Sequence, residues 1–178
     1  MTTAIVLATL LLVAAAPVAS AFQGIQAVPA DVLVVDRGIT DPAGPLDLVL
    51  FVRLLTPLRV LEITARAAKH PAFPAALFHD KDVTVRLTLP TGIVLEAGRL
   101  TWSGELHADD VAEVRATVRV LGDLDGAIEA SVIGHGGGGR VDADVERFYV
   151  AARGDAIRVS RDPITGDRQP SRPGASTR

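Results

Sequence analysis

No cysteine occurs among the 178 residues, and aromatic side chains make up only 4% of them: five Phe, one Tyr and one Trp. Without thiols there can be no disulfide staples, cysteine-ligated zinc, thiolate nucleophile or lipid-modified cysteine behind a leader. The fold must then rely on an apolar core. Lysine is nearly missing too: Lys69 and Lys81 are two of 18 basic residues, the rest being Arg. This reads as base-composition bias rather than chemistry. A formal net charge of −3 gives no electrostatic ground for a polyanionic partner such as nucleic acid or for attraction to a membrane surface. Catalytic signatures are also missing. The histidines, His70, His79, His107 and His135, show no H-x-H or H-E-x-x-H spacing. Ser103 lies between Trp102 and Gly104, outside any Gly-x-Ser-x-Gly elbow. Gly136–Gly139 leads into Arg140 and a strand-like stretch rather than Lys-Ser/Thr and a helix. It reads as a hairpin tip, not a phosphate loop.

What the chain does have is alternation. Val83–Leu89 reads V-T-V-R-L-T-L and runs into Pro90 and Gly92. In a strand, Val83, Val85, Leu87 and Leu89 fall on one face and Thr84, Arg86 and Thr88 on the other. Val114, Ala116, Val118 and Val120 repeat the pattern between charged or polar neighbours. Such segments are half-buried strands of antiparallel sheets. The runs Leu46–Leu55 and Leu58–Ala68 are rich in Leu and Ala, which leaves a helix open. The break at Pro57 and the β pattern downstream favour strands. Further strands are expected at Ile93–Glu96, Arg99–Leu106, Val111–Leu121, Ala127–Ile133, Arg140–Arg153 and Ala156–Ser160, separated by turns. His70–Asp82 is expected to be a loop capping the core with Phe73 and Phe78. Short strands punctuated every ~8–12 residues are the pattern of an all-β sandwich.

The N-terminus carries the one long hydrophobic run. Ala4–Ala16 is followed by Pro17 and by Ala19-Ser20-Ala21, the small-x-small pattern that signal peptidase accepts. Cleavage there would remove 21 of the 178 residues and leave 157, starting at Phe22. The n-region Met1-Thr2-Thr3 lacks Lys and Arg, which keeps a retained anchor over residues 4–21 as the competing reading. The expected organisation is a signal helix over 1–21 and a Pro- and Gly-rich lead-in over 22–45. A single sandwich over 46–160 and a disordered polar tail over 161–178 complete it.

The strings V-T-V-R-L-T-L-P-T-G, G-R-L-T-W-S-G-E-L and V-A-E-V-R-A-T-V-R-V between Val83 and Val120 resemble immunoglobulin-like modules of bacterial and archaeal secreted and surface proteins. The likeness spans Leu46–Ser160, and such modules serve as spacers, adhesive units or enzyme accessories. It implies an immunoglobulin-like antiparallel β-sandwich without the cysteine pair of antibody-type domains. Fold alone does not fix function.

Three groups of residues invite chemistry. Histidines in loops at one end of a sandwich could meet, with His79-Asp80 and His107-x-Asp109-Asp110 as imidazole–carboxylate pairs. The plainer reading is solvated loop histidines. Asp142, Asp144 and Glu146 alternate, so a strand points them one way, as calcium would need. Neighbours on one strand face lie about 6.5–7 Å apart, however, which favours a solvated face guarding a sheet edge. Because Phe148 and Val150 continue the same parity, a bulge or sheet change near Arg147 is expected to swap the buried face. Trp102 is expected to pack between the sheets, a sugar-binding surface being the alternative. No catalytic, cofactor-binding or metal-ligating residue is assigned, and no cofactor. The expectation is an exported, non-catalytic interaction or structural module of the cell envelope or extracellular space, partnered by another such protein. The alternatives are a signal-anchored subunit of an envelope assembly and, less favoured, a loop-based metal-dependent hydrolase.

Overall fold

The computed structural model describes residues 29, 31–36, 44–55, 59–75 and 78–164. The signal or anchor segment and nearly all of the polar tail lie outside the described residues. Among the described residues ten strands follow in chain order: β1 (Val32–Val35), β2 (Leu46–Leu55), β3 (Val60–Lys69), β4 (His79–Thr88), β5 (Ile93–Gly98), β6 (Thr101–His107), β7 (Val111–Val120), β8 (Leu124–His135), β9 (Val141–Arg153) and β10 (Ala156–Ser160). They form two five-stranded sheets, ordered β1-β2-β3-β7-β5 and β10-β9-β8-β4-β6, and every pairing is antiparallel. Counting the strands backwards from ten exchanges the two orders, so each sheet is the topological mirror of the other.

Period-2 alternation builds the core. Leu61, Ile63, Ala65 and Ala67 of β3 and Val114, Ala116 and Val118 of β7 point inward from one sheet. Val83, Val85 and Leu87 of β4 and Ile128, Ala130 and Val132 of β8 meet them from the other. Both Leu- and Ala-rich runs are strands, because β2 and β3 pair along their whole length from Leu46↔Lys69 to Leu55↔Val60. β2 is buried continuously over Leu46–Leu50, which accounts for its dense apolar sequence. The short apolar run in the lead-in joins the sheet as β1, pairing Val32↔Arg53 through Val35↔Leu50.

Several expectations need correction. β4 begins at His79 rather than Val83. Its register shifts between Asp80 and Val83, and Asp82 takes a left-handed φ of 51° inside the irregularity. Phe78 is buried in the core, whereas Phe73 is half-buried and meets His70 edge-on, with ring centroids 6.0 Å apart. Trp102 faces the core from the edge strand β6, half-buried, with its ring lying over Gly104. β9 keeps one register with β8 from Val141 to Ala152, so no bulge or face swap occurs at Arg147.

Candidate functional site

Because β9 never changes face, Asp142, Asp144 and Glu146 share the inward parity of Phe148 and Val150. Asp142 and Glu146 are buried and Asp144 half-buried. The expected solvated acidic face is therefore overturned. Room for the carboxylates comes from across the β8–β9 ladder, where Glu146 stands opposite Ala130 and Asp142 opposite Gly134.

The registers show where these groups gather. β2 starts beside the end of β3 (Leu46↔Lys69) and β7 starts there too (Ala68↔Val111). In the other sheet β4 starts beside the ends of β6 (His79↔His107) and β8 (Lys81↔His135), and β9 starts beside the same β8 end (His135↔Val141). The two sheets touch at this end: the Leu48 N–H donates to Asp144 Oδ2 at 2.9 Å, beyond the point where β1 stops pairing with β2. Asp144 thus accepts from a β2 amide at a position where no described strand pairs on that side. One end of the sandwich holds His70, His79, His107 and His135 together with Asp47, Asp80, Asp142 and Asp144.

Burial dominates the electrostatics of this end. Asp47 is 1% exposed and neither of its carboxylate oxygens accepts a hydrogen bond among the described residues. Loss of water, reinforced by the charges of Asp36, Asp144 and Glu146, pushes its pKa up to about 7. Asp80 is fully buried and its oxygens likewise accept no hydrogen bond among the described residues. Desolvation and the adjacent Asp142 carboxylate raise it to about 6, against the pull of Arg140 and His79. Arg140 grips Asp142 from Nε and Nη2 at 2.7–2.8 Å and stands 3.6 Å from Asp80. Burial also raises Asp144, with the Leu48 and Val145 amides and His70 opposing.

The histidines divide by role. His70 is buried rather than solvated; its Nδ1 accepts the Ala72 N–H at 3.1 Å, while its carbonyl accepts the Phe73 N–H and the Lys69 ammonium. It closes the β3–β4 connection. His79, His107 and His135 terminate strands instead of occupying loops, and all three are exposed. His79 and His107 face each other across β4 and β6 with rings stacked 4.4 Å apart at 17°. Glu105, two residues before His107 on the same face, places Oε2 3.4 Å from His79 Nε2. His79 and His107 therefore meet, against the plainer expectation of separate solvated loop histidines, and the carboxylate beside them is Glu105 rather than an aspartate. Sequence reasoning passed over Glu105 because only the β4–β6 register reveals its neighbours.

An apolar groove lies elsewhere. A cavity of about 690 Å³ opens between the sheet edges, lined by Val32, Leu33, Val52, Leu54, Ile157 and Val159 among others. None of the histidines or buried acids described above lines it. Among the described residues no helix is long and apolar enough to cross a membrane. No protein-family model matches the chain, and a search of curated proteins finds no match.

Proposed function

We propose that this chain is an exported, non-catalytic interaction module of immunoglobulin-like architecture whose working surface is the ionisable end of the sandwich. The observation that carries this reading is the pair Asp47 and Asp80, buried without hydrogen-bond partners among the described residues, at the end where all four histidines gather. A buried acid without a donor costs stability, and apolar residues of similar volume would serve the fold better. Local rules are broken in this way most often where a surface has work to do. The two-sheet antiparallel architecture supports the module reading, and the leader-like Ala4–Ala21 supports export. A catalytic reading has less support, since the apolar groove and the ionisable groups are separate.

The test is proximity cross-linking of the full-length protein in its native envelope, comparing charge reversals at the two ends. Lys81→Glu and Asp109→Lys alter the ionisable end without touching its buried acids. Arg153→Glu alters the opposite end. Loss of one specific cross-linked partner in the first pair, and its retention in Arg153→Glu, is the expected result. Loss only in Arg153→Glu would overturn the reading.

A further inference from the structure

We infer that His79, Glu105 and His107 form a binding site for a borderline divalent transition-metal ion such as Zn²⁺. The inference goes beyond the proposed function and stands without it. Each residue offers one ligand atom, and these atoms lie within 4.8 Å of one another. Among the described residues this is the one group of three or more His, Asp or Glu side chains that meets that condition. The buried acids, although numerous, do not.

The donor set and backbone both suit the ion. Two imidazoles and a carboxylate are the ligands of many three-residue zinc sites, in which water or a substrate group takes the fourth position. At Zn–N distances near 2.0–2.1 Å, ligand atoms in a tetrahedral site stand about 3.3 Å apart. His79 Nε2 and Glu105 Oε2 are at 3.4 Å already, so the remaining adjustment is rotation of exposed side chains. The Cα positions need not move: His79 and His107 are direct cross-strand partners, and Glu105 shares their face two residues away. The stacked rings hold the two imidazoles side by side, 4.4 Å between centroids. The carboxylate of Asp80, next in sequence to His79, adds negative potential beneath the site. Because His79, Glu105 and His107 are all exposed, water or a donor group from another molecule can reach an ion held there.

The experiment is calorimetric titration of untagged, chelator-stripped full-length protein with ZnCl₂, paired with the visible spectrum of the Co²⁺-loaded protein. One ion per chain is expected, with a Co²⁺ spectrum of low-coordinate, tetrahedral character. His79→Ala and His107→Ala should each weaken binding by roughly tenfold or more, Glu105→Gln by less, and His135→Ala not at all. All four positions are exposed, so the variants should fold. A second readout needs no variant: added Zn²⁺ should shift the imidazole NMR signals of His79 and His107 and leave those of His70 and His135 in place. Absence of Zn²⁺ binding, or unchanged affinity in the His79→Ala/His107→Ala double variant, would overturn the assignment.

Discussion

The two ends of the sandwich are closed by opposite means. At one end, backbone turns are tied down by arginines: Arg59 donates to the carbonyls of Gly122 and, at 2.8 Å, Gly154, while Arg153 reaches the carbonyls of Leu124 and Ala152. Gly154 N–H in turn donates to Asp123 Oδ1 at 2.9 Å. Most of these bonds lie in exposed turns, although Arg59 itself is half-buried and its Nε has no hydrogen-bond partner among the described residues. At the other end the sheets meet over carboxylates that are buried, and two of them, Asp47 and Asp80, lack hydrogen-bond donors among the described residues. One end is arranged for stability; the other gives up stability to hold ionisable groups in place. Exposure decides the difference, since partnered polar groups in water cost little and unpartnered ones in a core cost much.

Glycine substitutions at the two ends should break this comparison most visibly. A Cβ at Gly134 would stand 3.0 Å from Asp80 Oδ2 and Val83 Cγ2 and 3.2 Å from Leu46 Cδ1. Gly134→Val should therefore wedge the acidic end apart, lowering the unfolding free energy in urea by about 2–3 kcal/mol. Gly122, at the arginine-tied end, has a φ of +60° but open space around it. Gly122→Ala should cost only about 1 kcal/mol, from backbone conformation alone.

Acidity should sharpen it next. The pKa of Asp47 in the folded protein, about 7, stands above its ordinary value of 3.8, so the folded state keeps a proton that the unfolded chain has released. Its contribution to stability is fully present below about pH 4 and is lost as pH rises toward 7. Asp80, raised to about 6, acts in the same direction. The charged groups acting on Asp47 among the described residues are themselves acidic, Asp36, Asp144 and Glu146, and reinforce the loss. Asp47→Asn should raise stability at pH 8 by on the order of 2 kcal/mol and leave it unchanged at pH 4. Glu113, lowered by its pairing with Arg66 and Arg115, acts oppositely, contributing stability that disappears only as pH falls through its depressed pKa.

The smallest effect belongs to the tied end. Arg59→Ala removes two exposed bonds to carbonyls and should cost about 1 kcal/mol, by the same amount at pH 5 and pH 8. A pH-dependent cost there would mean that the ends are coupled.

Much of the fold was legible because strand alternation is written directly in the residues. Val83–Leu89 and Val111–Leu121 announce strands by their period, and the Leu- and Ala-rich stretch around Pro57 follows from them. The start of β4 was not legible, because H-D-K-D carries no apolar alternation and the local register is irregular. The parity of Asp142, Asp144 and Glu146 with Phe148 was visible in the sequence. The general rule that carboxylates resist burial favours a face swap there, and that rule fails at this end of the molecule. The stacking of His79 on His107 depends on β4 pairing with β6, contact information that period and spacing do not carry.

Carboxyl-carbon NMR of the full-length protein, following Asp47 through a pH titration, tests the central contrast most directly. The account predicts a midpoint near 7, well above the ordinary aspartate range, with Asp80 near 6. Midpoints for both residues near 3.8 would mean that water reaches them freely, contradicting a dry, acid-lined end.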